Sequence, residues 1–80
     1  MDAADAVLRV LREADDALHW TRVQDLALRK GYLDPFEHRD VRATVQTALR
    51  RLVRDGAIER VGKGVYRVGL ERSEDQVEAD

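Results

Sequence analysis

Eight cations, Arg39, Arg42, Arg50, Arg51, Arg54, Arg60, Lys63 and Arg67, fall within residues 39–67 against the three acids Asp40, Asp55 and Glu59. Guanidinium groups at that density bind anions, and a nucleic-acid backbone is the densest anion a protein meets. The flanking segments carry the opposite sign. Residues 1–38 hold five Lys/Arg and eight Asp/Glu, and residues 68–80 hold one Arg against five acids. The overall net charge of −2 therefore hides a block of net +5 between segments of net −3 and −4. A basic block set between acidic ones is how a charged binding face looks in sequence.

Other chemistry is poorly provided for. The chain has no cysteine, which excludes disulfides, thiolate metal sites and thiol nucleophiles. The two histidines, His19 and His38, are predicted to sit in separate loops and make a poor metal site. His19 reads as a helix-start or packing residue and His38 as an exposed one. Ser73 is the only serine, near the C-terminal end of the sequence, and no His–carboxylate–nucleophile set can be assembled on rigid elements. The expectation is a non-enzymatic protein with no cofactor and no metal.

The elements that must position the cations follow from length and periodicity. Eighty residues that are 44% hydrophobic and 38% charged make one compact domain, one able to bury only roughly 60% of its unfolded surface. No apolar run approaches the ~20 residues of a membrane helix. The N-terminal MDAADAVLRV lacks the basic start of a signal peptide, so a cytoplasmic protein is expected.

Asp2 caps a predicted first helix through about Ala14, with Ala3, Ala6, Val7, Val10, Leu11 and Ala14 at helical spacing. Asp15–Asp16 breaks it. A second helix starts near His19–Thr21, where Thr21 and Gln24 have the spacing of a capping box. Val23, Leu26 and Ala27 form its stripe, and Gly31 ends it. Tyr32 and Leu33 then pack back onto the core, and a loop with the only proline spans Asp34–Arg39. Asp40 caps the third and longest helix, which ends at Gly56. Its Val41, Val45, Ala48, Leu49, Leu52 and Val53 lie within about 140° of arc. The opposite face carries Arg42, Ala43, Gln46, Thr47, Arg50 and Arg54, with no acid among them.

After Gly56 the period alternates. Ala57–Val61 and Val65–Leu70 read as two strands around Gly62-Lys63-Gly64. A three-residue turn pairs Val61 with Val65, Arg60 with Tyr66, Glu59 with Arg67 and Ile58 with Val68. Ile58, Tyr66, Val68 and Leu70 then share one apolar face. Residues 71–80, acidic and with little to bury, read as a disordered tail or linker after a domain of residues 1–70.

Three helices followed by a glycine-tipped hairpin is the order of a winged helix, an α+β and mainly α fold in which a three-helix helix–turn–helix core carries a two-stranded wing. The runs LHWTRVQDLALRKGYLDP, VRATVQTALRRLVRDG and IERVGKGVYRVG resemble the HARE-type winged helix found in restriction endonucleases, chromatin proteins and the delta subunit of bacterial RNA polymerase. The resemblance covers roughly Ala4 to Leu70. It is carried by Leu18-His19-Trp20, Gly31-Tyr32-Leu33, Thr44-Val45 with Ala48-Leu49, and Gly64-Val65-Tyr66. The Leu-x-x-Leu-x-x-x-Gly and Gly-Val-Tyr pieces also resemble antitoxin-type winged helices.

The reading that follows is a DNA-binding module involved in transcription regulation or restriction–modification, with its third helix in the major groove and its wing on the backbone or an adjacent groove. Arg42 and Gln46 face base edges, Thr47 a phosphate or a thymine methyl, and the small Ala43 allows close approach. Arg50, Arg51 and Arg54 meet phosphates, and Arg60 and Lys63 flank the wing tip. Trp20 and Tyr66, each in line with an apolar stripe, read as core rather than as base-stacking platforms. The alternative is a protein-interaction winged helix whose partner is RNA polymerase or a fused or neighbouring nuclease. In that reading Val61 and Val65, paired on the outer face of the wing, form a sticky edge, and the acidic tail mimics nucleic acid or screens the basic face.

Overall fold

The structure, a computed structural model, describes residues 1–69. Leu70 and the acidic segment 71–80, for which the sequence predicts a strand end and a disordered tail, lie outside the described residues. The chain folds as a winged helix. Its elements run α1 (Ala3–Ala14), β1 (Leu18–His19), α2 (Trp20–Arg29), a 3-10 turn (Pro35–Glu37), α3 (Val41–Arg54), β2 (Ile58–Gly62) and β3 (Val65–Val68). Among the described residues the strands form one antiparallel sheet, in the order β1-β3-β2.

Local chemistry sets the helix limits. Asp2 accepts from the Asp5 N–H at 2.9 Å, and Asp40 from the Ala43 N–H at 3.0 Å. Each carboxylate satisfies an N–H with no partner inside its helix. Asp34 does the same for the 3-10 turn, accepting from the Phe36 N–H at 2.9 Å. α3 ends at Gly56, in the left-handed region at φ 81°. There the Gly56 N–H bonds Val53 O and the Ala57 N–H bonds Leu52 O, at 3.0 and 2.9 Å, the Schellman pattern that satisfies the last carbonyls. α2 ends the same way: Gly31 bonds Leu28 O at 3.1 Å and Tyr32 bonds Ala27 O at 2.9 Å.

The second helix starts differently from the capping box predicted at Thr21. His19 is the cap. Its Nδ1 accepts from the Thr21 N–H at 3.3 Å and lies 2.8 Å from Thr21 Oγ1. Thr21 is already inside the helix, so its hydroxyl braces the cap instead of being it. The buried Gln24 Oε1 has no hydrogen-bond partner, and so does not reach back to the helix start. His19 holds this place because β1, absent from the sequence reading, fixes it: His19 pairs with Val65 and Leu18 with Tyr66.

The hairpin keeps the expected register from Ile58↔Val68 through Arg60↔Tyr66 and departs from it at the tip. There Gly62 pairs with Val65, and Val61 is the extra residue of a bulge. The turn is therefore the two residues Lys63-Gly64, and the bulge restores the register that a plain two-residue loop would have lost. Gly64 takes the left-handed conformation at φ 71°, whereas Gly62 does not. The Val61–Val65 pair of the sticky-edge reading does not form.

The core joins Ala6, Val7, Val10 and Leu11 of α1 to Val23 and Ala27 of α2, Leu33, four residues of α3 (Val45, Ala48, Leu49, Leu52), and Ile58 and Tyr66 of the hairpin. Leu26, Val41 and Val68 are half-buried against it. Val53, predicted inside the apolar arc of α3, is 37% exposed because it lies at the arc's edge. His38, predicted exposed, is half-buried. At the α1–α2 end, Glu13 accepts from Tyr32 Oη (2.8 Å), Lys30 Nζ (3.1 Å) and Arg9 Nε (3.3 Å). The Tyr32 hydrogen bond, followed by the Lys30 one, holds the Glu13 carboxyl below its ordinary value.

Candidate nucleic-acid interface

α3 presents the predicted cations to solvent. Arg42, Ala43, Thr47, Arg50, Arg51 and Arg54 are exposed and Gln46 is half-buried, while Val45, Ala48, Leu49 and Leu52 seat the helix from behind. The single outward face read from the sequence is in fact two strips. Gln46, Arg50 and Arg54 line a groove toward the wing, walled by Trp20, Val53, Arg60, Gly64 and Tyr66. Ala43, Thr47 and Arg51 line another, toward the start of α1, with Ala3, Ala4 and residues 37–40. The helical wheel explains the split. Arg42, Gln46, Arg50 and Arg54 form one i, i+4 row, and Ala43, Thr47 and Arg51 form the next row, about 100° round the helix. Arg50 Nη2 donates to Thr47 Oγ1 at 3.4 Å and links the strips.

The ion pairs separate the cations further. Arg9 and Lys30 pair with Glu13, Arg22 and Arg29 with Asp25, Arg51 with Asp55 at 3.8 Å, and Arg67 with Glu59 at 2.8 Å. Among the described residues no carboxylate pairs with Arg42, Arg50, Arg54, Arg60 or Lys63. The α1 and α2 surfaces thus neutralise most of their own cations, whereas among the described residues the cations on the wing side of α3 have no acidic partner. Arg51, tied to the last turn of its own helix, stands apart from Arg50 and Arg54. Arg39, part of the basic block but not among the predicted contacts, borders the α1-side groove.

Two aromatic residues take places the sequence reading only half describes. Tyr66 is buried in the core, and its edge also walls the wing-side groove. Trp20 is half-buried against the core, with the Arg42 guanidinium over its ring at 4.9 Å from the centroid. These residues stand 22 positions apart in the chain, and no local periodicity announces the contact. Lys63 occupies the wing turn, and Arg60 borders the groove beside Tyr66. Among the described residues no group of three His, Asp or Glu side chains is placed to hold a metal ion, and no helix is long and apolar enough to cross a membrane.

No curated protein and no solved structure matches the chain. A family model described as a transcriptional regulator, AbiEi antitoxin, matches residues 39–69. That stretch runs from the α3 cap to the end of the wing and contains all nine predicted contact residues. The family is one of regulators rather than of enzymes. The three-helix core, the wing and this match together describe a winged-helix regulatory module, similar over α3 and the wing to AbiEi-type antitoxin transcriptional regulators rather than specifically to the HARE type.

Proposed function

We propose that this winged helix binds double-stranded DNA, with α3 in the major groove and the wing on the backbone or an adjacent groove. The observation that carries this reading is the charge arrangement on the wing side of α3. Arg50, Arg54 and Arg60 line one groove, Arg42 lies over its Trp20 wall and Lys63 sits in the wing turn next to Gly64, and among the described residues none has a carboxylate partner. A duplex supplies phosphates at the spacing such a surface needs and releases counterions on binding. Arg42 and Gln46 face base edges near the start of α3, where recognition helices meet them. Arg50, Arg54 and Arg60 neutralise phosphates. Ala43, Thr47 and Arg51 contact the strand on the α1 side, with Arg51 contributing least because Asp55 already holds it. The setting is a cytoplasmic transcriptional regulator.

A mobility-shift titration with random duplex at low salt tests this. Arg50→Ala with Arg54→Ala should weaken binding to every sequence and lower the slope of log affinity against log salt by about two. No duplex binding at high micromolar protein, with or without residues 71–80, would transfer the surface to the second reading, a protein partner. That reading draws on Phe36, which stands 95% exposed on the α2–α3 connection, and on a family description that names an antitoxin. A polymerase or a neighbouring nuclease belongs to the same class of partner.

A further inference from the structure

We propose that Trp20 is a positioning residue for Arg42, holding its guanidinium stacked and pointing its hydrogen-bond donors outward for a base edge. The proposal rests on the duplex-binding reading above and adds to it the element that makes α3 selective.

The indole is fixed from several sides. Trp20 is the first residue of α2, its backbone N–H donates to Gly64 O of the wing turn at 2.9 Å, and its ring packs on the core. The His19 ring lies beside it, centroids 5.8 Å apart. A methyl group on Gly64 would meet Trp20 Cδ1 at 3.2 Å, so the wing turn is shaped around the ring. Over this fixed surface sits Arg42, the second residue of α3, 4.9 Å from the ring centroid.

A guanidinium stacked on an aromatic face spends its π surface and keeps its in-plane N–H donors. Those donors are what a bidentate contact to guanine O6 and N7 uses. A free arginine must give up the freedom of a long side chain to make that contact. An arginine already stacked has given up much of it beforehand. Arg50, Arg54 and Lys63 have no aromatic support of this kind among the described residues, which suits them to phosphates rather than bases.

The experiment selects preferred sites from random duplexes with the full chain. It then measures affinity for a preferred and a random duplex with wild type, Trp20→Leu, Trp20→Phe, Arg42→Ala and the Trp20→Leu/Arg42→Ala double variant. Trp20→Leu should cut the preferred-to-random ratio by about two- to fivefold, the range a single exposed cation–π contact supplies. Affinity for random duplex and the salt slope should hold. Trp20→Phe, which keeps a ring and the packing, should restore part of the ratio, and Trp20→Leu should change nothing once Arg42 is alanine. Circular dichroism confirms that each variant is folded. If Trp20→Leu does not fold, the same cycle run with Trp20→Phe decides by whether its effect vanishes on the Arg42→Ala background. A parallel loss on both duplexes, or a Trp20 effect that persists without Arg42, overturns the proposal and leaves duplex binding standing. Wild-type binding with no preference also overturns it alone. Absence of wild-type binding overturns both.

Discussion

Gly64→Ala tests the junction on which the wing, β1 and the start of α2 converge. Gly64 has φ 71°, a conformation that costs a residue with a Cβ roughly 1–2 kcal/mol. The added methyl would also lie 3.1 Å from His19 Nε2 and 3.2 Å from Trp20 Cδ1. His19 is exposed and can give way, but the indole is packed against the core and its backbone is tied down by the Trp20 N–H bond to Gly64 O. Overpacking costs about 1–3 kcal/mol in general, and the low end applies here because one of the two neighbours is free to move. The sum is about 2–3 kcal/mol, a fall of roughly 10–20 °C in Tm for a domain of this size. Gly62→Ala is the internal control. Its φ is not left-handed, and its new Cβ would meet Val65 Cβ at an ordinary 3.7 Å. It should be neutral, or stabilising by up to about 1 kcal/mol. Thermal melts followed by circular dichroism, with fluorescence of the single tryptophan as a second probe, give both values. Equal melting temperatures for the two variants would refute the account of the wing turn.

Leu49, fully buried at the centre of the α3 arc, should cost about 2–5 kcal/mol when cut to alanine, and a loss below about 1 kcal/mol in denaturant melts would show the helix to be turned the wrong way. The Tyr32, Lys30 and Arg9 contacts lower the Glu13 pKa on folding, so Glu13 stabilises the fold above its ordinary value of 4.5 and ceases to do so as pH falls through the lowered folded value. Wild type should therefore exceed Glu13→Gln in Tm at neutral pH, and the two should converge on acidification below pH 4.5; a constant gap would deny the linkage. Lys63→Ala should lower the salt slope of duplex binding by about one without changing which sequences are preferred. Removing residues 71–80 should tighten duplex binding, more at low salt than at high, if their five acids screen the basic block.

The parts of the fold that were legible in the sequence are those written in short-range chemistry. Asp2 and Asp40 announce two helix starts, Gly31 and Gly56 two helix ends, and the switch from a helical to an alternating period at Gly56 announces the wing. The parts that were not legible depend on partners distant in the chain. Two residues, Leu18 and His19, carry no periodicity of their own and become a strand only because β3 lies alongside. With the strand in place, the cap moves from Thr21, the residue with the capping signature, to His19, which the sheet holds at the helix start. The bulge at Val61 is of the same kind. Pattern alone required Ile58 opposite Val68, and a three-residue turn and a bulged two-residue turn meet that requirement equally.

The candidate site divides along the same line. That α3 is basic on its solvent side follows from residue types and a 100° step, and the structure places every predicted α3 contact outside the core. Which of these cations are free to act does not follow from the step. Arg51 differs from Arg50 and Arg54 because Asp55 lies one turn further on, a relation the sequence contains but that only side-chain geometry makes decisive. Arg42 differs from all of them because Trp20, brought in by the β1–β3 pairing and the bond to Gly64, lies beneath it. One ring thus connects the wing turn to the start of α3, the end proposed to read bases. The wing and α3, which the duplex-binding proposal treats as separate contact surfaces, share Trp20 as a common support. Gly64→Ala, which crowds that ring, should therefore lower both the melting temperature and the sequence preference proposed for Arg42.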